Sequence, residues 1–236
     1  MDEIDCAGIW VGPYARAMAH VLTVNLAHLR PNSDKGSQLT GIDKRPTDDT
    51  VTVRAPGPMD GGLGSGLQGD MIGDMQVHGG DDQAVYAYAR EDLDDWAAEL
   101  QRELTNGMFG ENLTTEGLDV TGARVGERWH VGSDGLVLEV SRPRIPCRTF
   151  ATWLSIQGWV KTFTKGATPG AYLRVIESGT VRAGDPIVVV DRPNHDVTIG
   201  LVFRAMTLEP ELLPRLLEAD ALPDEIKELA HRRVSS

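Results

Sequence analysis

Cysteine is nearly absent from this chain. Cys6 and Cys147 are the two thiols in 236 residues, too few for a disulfide framework and short of the four thiolates of an ordinary iron–sulfur cluster. If the protein handles electrons, they come from a separate partner. Long apolar runs are also missing, with nothing near the roughly 18 residues of a membrane span. Positive charge is scarce. Lys and Arg total 23 against 35 Asp and Glu, a formal net charge of −12, so a nucleic-acid polymer would be repelled as a general partner. A local basic pocket for a small anion stays open. The first residues, Met1 to Asp5, are acidic where a signal peptide would be basic, so the cytoplasm is the expected location. The glycines Gly62 to Gly66 lack the lysine and following helix of a phosphate loop. No serine sits in a nucleophile elbow, and no second Cys or His stands at zinc-finger spacing to Cys147.

What is present alternates in short stretches. Leu22, Val24 and Leu26 share one face of a strand over 21–26, and Val51–Val53 is a second. Asn32 to Gly36 is turn-like. Pro56–Gly73 carries seven glycines and two prolines, poor material for a core, and reads as a long mobile loop and a candidate lid. Asp81-Asp82 suit an N-cap, and Val85, Ala89, Leu93, Trp96, Leu100 and Leu104 come after them at helical spacing, with Asn106-Gly107 as C-cap. Further strands are expected over 136–141, 172–176, 187–190 and 197–203. The fold class expected is mostly β with α, an α+β arrangement around a barrel or barrel-like sheet. From Glu209 leucines recur at helical spacing, and Pro223 suits a helix start. The expected division is residues 1–206, with a core of about 20–206, and then a small helical appendage over 207–236.

The densest chemistry lies in Arg142-Pro143-Arg144-Ile145-Pro146-Cys147-Arg148. Two prolines withdraw the backbone from ladder pairing. Three arginines around one cysteine favour the thiolate and offer rigid forks to an oxyanion. An inert buried cysteine beside surface arginines is the plainer alternative. His78-Gly79-Gly80 lets backbone approach a ligand, with the imidazole as a metal ligand, proton shuttle or anchor. Phe109-Gly110-Glu111-Asn112-Leu113 is a turn whose polar side chains ordinarily cap it. Lys44-Arg45 is a dibasic pair at a strand exit, and Arg174 sits in an alternating strand, facing inward or outward.

Taken in order, these segments resemble the MOSC domain family, named for the C-terminal part of molybdenum cofactor sulfurases, and within it the bacterial YiiM-like branch. The matching stretches are Thr40 to Pro46, Gly69-Asp70, Asp74, His78 to Gly80, Ala84 to Tyr88, Trp96, Phe109 to Leu113, Gly126 to Arg128, Pro143 to Cys147, Tyr172 to Val175 and Gly184-Asp185. The resemblance implies a β-barrel-like domain with a small C-terminal three-helix domain, and a bound molybdenum cofactor of the molybdopterin type. It implies Cys147 as the molybdenum ligand and, with His78, a catalytic residue. Lys44, Arg45, Asp74, His78, Gly79, Asn112, Arg144 and Arg174 are its cofactor-pocket candidates. The implied activity is reduction of N-hydroxylated small molecules such as hydroxylamino-purines, a detoxifying role, with an external flavoprotein or ferredoxin as donor. The alternative is a sulfur-carrier or cofactor-transfer module using Cys147 as a persulfide. A homodimer is compatible with either. The sequence departs from the family at Arg142, where glutamine is common, and at Ala171, where tryptophan often stands. Both bear on pocket shape and substrate size.

Overall fold

The computed structural model describes residues 18–33, 38–75 and 78–234. Cys6, the acidic start and most of the Asn32–Gly36 turn lie outside them. The described residues open with five strands, β1 (His20–Ala27), β2 (Arg30–Pro31), β3 (Leu39–Thr40), β4 (Lys44–Thr47) and β5 (Val51–Val53). Strand β6 (Val85–Ala89) leads into α1 (Arg90–Leu100), β7 (Leu113–Glu116), β8 (Arg128–Val131) and β9 (Leu136–Pro143). Two helices, α2 (Arg148–Leu154) and α3 (Trp159–Gly166), precede β10 (Ala171–Glu177), β11 (Gly179–Val181) and β12 (Ile187–Asp191). The chain then turns helical, with α4 (Ile199–Thr207), a 3-10 helix over Pro210–Glu218 and α5 (Asp224–Val234).

Eight strands form one sheet in the order β12-β8-β9-β10-β6-β7-β1-β4. The pairings are antiparallel except β6 with β7, whose parallel register needs the crossover that α1 supplies. The sheet curls without closing into a barrel. Across the gap between β1 and the start of β12, Val21 N–H donates to Asp185 O (2.8 Å) and Gly184 N–H to Val21 O (2.7 Å). The α+β expectation holds, in a barrel-like but unclosed form.

Several local expectations are corrected. Residues 85–89 are a strand and not the first turns of a helix. Val-Tyr-Ala-Tyr-Ala is buried at every position, and a strand covered on both faces reads as a continuous apolar run whose spacing mimics a helix. The helix begins at Arg90 and ends at Gln101, whose left-handed backbone (φ 48) caps it, so Asn106-Gly107 is a separate turn. In β1 a bulge between Val21 and Thr23 breaks strict alternation, and Val21 and Val24, not Leu22 and Leu26, are fully buried. Residues 199–203 are helix and not strand, started by Thr198, whose side chain accepts from Leu201 N–H. The glycine-rich stretch is no core-free loop. Residues 64–67 are buried, Leu67 bridges to Val53, and Gly66 N–H donates to Ala84 O (2.7 Å).

Two apolar bodies flank the sheet. One is largely aliphatic, built from Val24, Val85, Leu138, Leu173 and their neighbours, and it takes in Ala171 and the C-terminal helices. The other is aromatic. Tyr86, Tyr88, Trp96, Phe109, Phe150, Trp159 and Phe163 meet largely edge to face at 5.0–6.2 Å, the arrangement their quadrupoles prefer. Helices α2 and α3 pack on it through Phe150, Leu154, Trp159 and Phe163. This aromatic body stands behind the cysteine segment.

Candidate functional site

Strand β9 ends at Pro143, and the next residues run extended to Cys147, which precedes α2 with φ −129 and ψ 172. The half-buried thiol lines a cavity of about 330 Å³, at the small end of the range for organic ligands. Lys44, Asp74, His78, Gly79, Asn112 and Arg144 line it too. Arg45 and Arg174 do not. Arg45 is exposed and pairs with Asp43 (2.9 Å), which holds its guanidinium pKa up. Arg174 is bound by Asp82, Glu139 and Ala221. The arginine knot is likewise divided. Arg144 and Arg148 reach the cavity, whereas Arg142 pairs with Glu225 of α5.

One part of the wall is organised by Asp70, a residue that sequence reasoning placed in a matching stretch but gave no role. Its carboxylate accepts from Lys44 Nζ (2.6 Å), Ser65 Oγ (2.7 Å), Asn112 Nδ2 (2.9 Å) and Ala27 N–H (2.9 Å). Burial works to raise its pKa. The Lys44 charge and these hydrogen bonds outweigh that and hold the carboxyl below its ordinary value. Asn112 is locked from both ends, since its Oδ1 accepts from Tyr86 N–H (3.1 Å). Its neighbour Glu111 faces away and ties the turn, accepting from Gly107 N–H (2.6 Å), Phe109 N–H (3.0 Å) and Thr114 Oγ1 (2.9 Å). The capping role expected for that turn thus falls to Glu111, while Asn112 joins the cavity.

Arg144 is held differently. Its residue exposure is 7%, and the guanidinium lies 3.8 Å from the Phe150 ring centroid and 5.6 Å from that of Tyr86. Nη1 is buried without a hydrogen-bond partner. Burial lowers its pKa, but Tyr86, Tyr172 and Cys147 outweigh that and leave it raised. Arg144 lines the cavity as a permanently charged, planar group without a full set of partners, which suits an anion. Tyr86 and Tyr172, neither given a site role from sequence, complete this part of the wall. Tyr86 donates its hydroxyl to Pro169 O (2.8 Å), so it contributes ring and not a titrating group, and burial first of all pushes its pKa well up.

The remaining wall comes from the end of the glycine-rich stretch and the residues just after it. Asp70, Met71, Ile72, Gly73, Asp74, His78 and Gly79 border the cavity, with Gln83 beyond them. At His78-Gly79, where backbone is expected to approach a ligand, the close contact is with the protein's own chain. Gly79 has φ +95, and a Cβ there would fall 2.9 Å from Gly64 O. Gly41 is equally constrained, since a Cβ would fall 2.2 Å from Met71 O. Leu39, Ile42, Met71 and Ile72 make this side apolar. Among the described residues no three His, Cys, Asp or Glu side chains gather to hold a metal ion. A metal carried on a ligand that brings most of its own donors would need only one soft thiolate from the protein. The donor set, one thiol and one orphaned guanidinium beside an apolar wall, fits such an anionic organic cofactor. Among the described residues no helix is long and apolar enough to cross a membrane.

Comparison with known proteins gives a consistent picture. A family model described as "MOSC domain" matches residues 74–188. The chain is 31% identical over 185 residues to the uncharacterized protein YflK of Bacillus subtilis, covering 78% of this chain and 79% of that protein. It is 33% identical to protein YiiM of Escherichia coli, covering 66% and 71%. A protein named "Reductase" from Gibberella moniliformis is 30% identical over 67% of this chain, which spans 29% of that longer protein. The crystal structure of YiiM from Geobacillus stearothermophilus superposes with a TM-score of 0.72 at 24% identity, covering 92% of this chain and 99% of that one.

Proposed function

This chain belongs to the MOSC domain family as a YiiM-like protein, and from that premise we propose that its cavity binds a molybdenum cofactor and reduces N-hydroxylated small molecules. The observation that carries the reading is that Cys147 and Arg144 line one cavity, the arginine with a buried Nη1 that has no hydrogen-bond partner. The thiol is the soft donor for the metal, and the guanidinium takes the cofactor's anionic group. When bound, the group would supply two-electron chemistry for removing oxygen, so that R–NHOH with two electrons and two protons would give R–NH2 and water. The chain's own residues do the rest. Leu39, Ile42, Met71 and Ile72 receive the organic body of the substrate and exclude water from it. His78 is the candidate proton carrier, its imidazole being suited to proton transfer near neutral pH. The relative named as a reductase supports an enzymatic reading over passive carriage. Electrons are assigned to a separate flavoprotein or ferredoxin, because two cysteines cannot hold an ordinary iron–sulfur cluster.

The test is to purify the protein from molybdenum-replete cells and measure metal, pterin and reduction of benzamidoxime and hydroxylaminopurine with a reducing partner. Wild type is expected to carry near-stoichiometric molybdenum and to turn over both compounds. Cys147→Ala is expected to lose the metal and the activity together. Metal-free wild type, inactive even with cofactor and donor supplied, overturns the reading. Cyanide-releasable sulfur on such a protein, absent from Cys147→Ala, would assign sulfur carriage instead.

A further inference from the structure

Arg174 sits on β10 and does not line the cavity, yet its guanidinium is bound to three other residues. Its Nε donates to Asp82 Oδ1 (2.5 Å). Its Nη1 donates both to Glu139 Oε1 on β9 (3.1 Å) and to the carbonyl of Ala221 (2.7 Å). Ala221 belongs to the turn between the 3-10 helix at Pro210–Glu218 and α5. Asp82 lies in the short 3-10 turn Asp81–Gln83, and the same stretch carries His78, Gly79 and Gln83 to the cavity. A second bond holds that turn to the sheet, from Ser141 Oγ to Asp82 O (2.6 Å). The partners of Arg174 therefore come from three places: the cavity wall, the sheet beneath it, and the C-terminal helical segment.

We infer that Arg174 is a positioning residue through which the C-terminal turn at Ala221 fixes the His78–Gln83 wall of the cavity. A guanidinium suits the task because its fork is planar and rigid, so three acceptors held at set angles define one another's places. The side chain is mostly buried, 19% exposed, and its Glu139 partner is 10% exposed, which limits the access of water to that part of the fork. The helical segment thus has a part in the site without contributing a lining residue. The functional weight of this inference rests on reading the cavity as the binding site, but its geometry does not.

Backbone amide exchange tests it on the protein without added cofactor. Arg174→Gln is expected to speed exchange in peptides spanning 78–83 and 219–224 on the order of tenfold, the size of a lost charge-assisted bond. Asp82→Asn should speed 78–83 to a similar extent and leave 219–224 unchanged. The double variant should exceed neither single in 78–83, since both remove one link. Arg142→Gln, which cuts the separate tie to Glu225, should leave 78–83 unchanged. If Arg174→Gln fails to fold, Arg174→Lys gives the same pattern at smaller amplitude, because an ammonium cannot span three acceptors. Unaltered exchange in 78–83, an equal rise across the whole chain, or additive single effects would each overturn the inference. Absence of molybdenum from wild type would instead sink the cofactor reading and leave this result standing.

Discussion

Lys44 and Arg144 line the same cavity as buried cations, but their surroundings have little in common. Lys44 meets the Asp70 carboxylate at 2.6 Å, and that carboxylate is saturated by Ser65, Asn112 and the Ala27 amide. The pair is close to neutral, and its attraction is used within the fold. Arg144 has no carboxylate paired with it among the described residues. It rests on the faces of Phe150 and Tyr86 and keeps Nη1 unsatisfied. A desolvated cation over rings recovers about 2 kcal/mol, less than a full set of hydrogen bonds would give. The difference separates a cation that holds the wall from one left available to a ligand. By sequence the two look alike.

Substitution can break this contrast, and Asp70→Asn should do so most severely. It leaves the Lys44 ammonium buried beside an amide, and breaking one side of a buried pair costs about 3–5 kcal/mol, measurable by urea unfolding at pH 7. The pH dependence has a definite sign. A carboxyl held below its ordinary value contributes stability that is full above that value, near 3.8, and is lost as pH falls through the lowered one. Asp70→Asn should therefore flatten the acid limb of the unfolding profile below about pH 4. Next in size is Arg144→Met. It should cost about 2 kcal/mol of stability, chiefly the ring contacts with a smaller share from Tyr172, while weakening anion binding roughly 10- to 100-fold. The readout is protection of Cys147 from iodoacetamide by inorganic phosphate. Equal stability losses at Asp70 and Arg144 would erase the distinction. The smallest effect is expected at Asp92, a half-buried aspartate with no cation paired to it among the described residues. Burial first, then Asp119 and other carboxylates, push its pKa to about 6 against a hydrogen bond from Thr121. Its charge opposes folding above pH 6, so Asp92→Asn should stabilise modestly at pH 7–8 and lose that advantage below pH 4.

The cysteine segment is legible in sequence because prolines and arginines crowd one thiol, a local signal. Asp70 gains no role there because its partners lie up to 43 residues away, and a lone aspartate in a glycine-rich stretch looks like turn chemistry. The helical reading of 85–89 has a physical source, since Val85, Ala89 and Leu93 keep helical spacing although Tyr86 and Tyr88 between them are equally buried. Those two aromatics are the available strand signal. For Arg45 and Arg174, charge in an alternating strand cannot report which face meets the cavity. The leucine spacing after Glu209 is legible because helical amphipathicity is local. At α4 the β-branched start, Val197 to Val202, suits either state and so predicts a strand as readily as a helix.

The place of β10 has a consequence for how the protein is made. It is the tenth strand in chain order, yet it lies in the middle of the sheet between β9 and β6. On the ribosome, some 170 residues emerge before the strand that joins the two halves, and until then β6 and β9 present unpaired edges, the kind of surface that invites wrong association. The cavity is unfinished over the same interval, because Tyr172 arrives with β10. A small molecule that binds only the finished cavity stabilises the completed sheet by mass action and none of its precursors. Supply of such a molecule during synthesis would then raise the share of the chain that ends as folded protein.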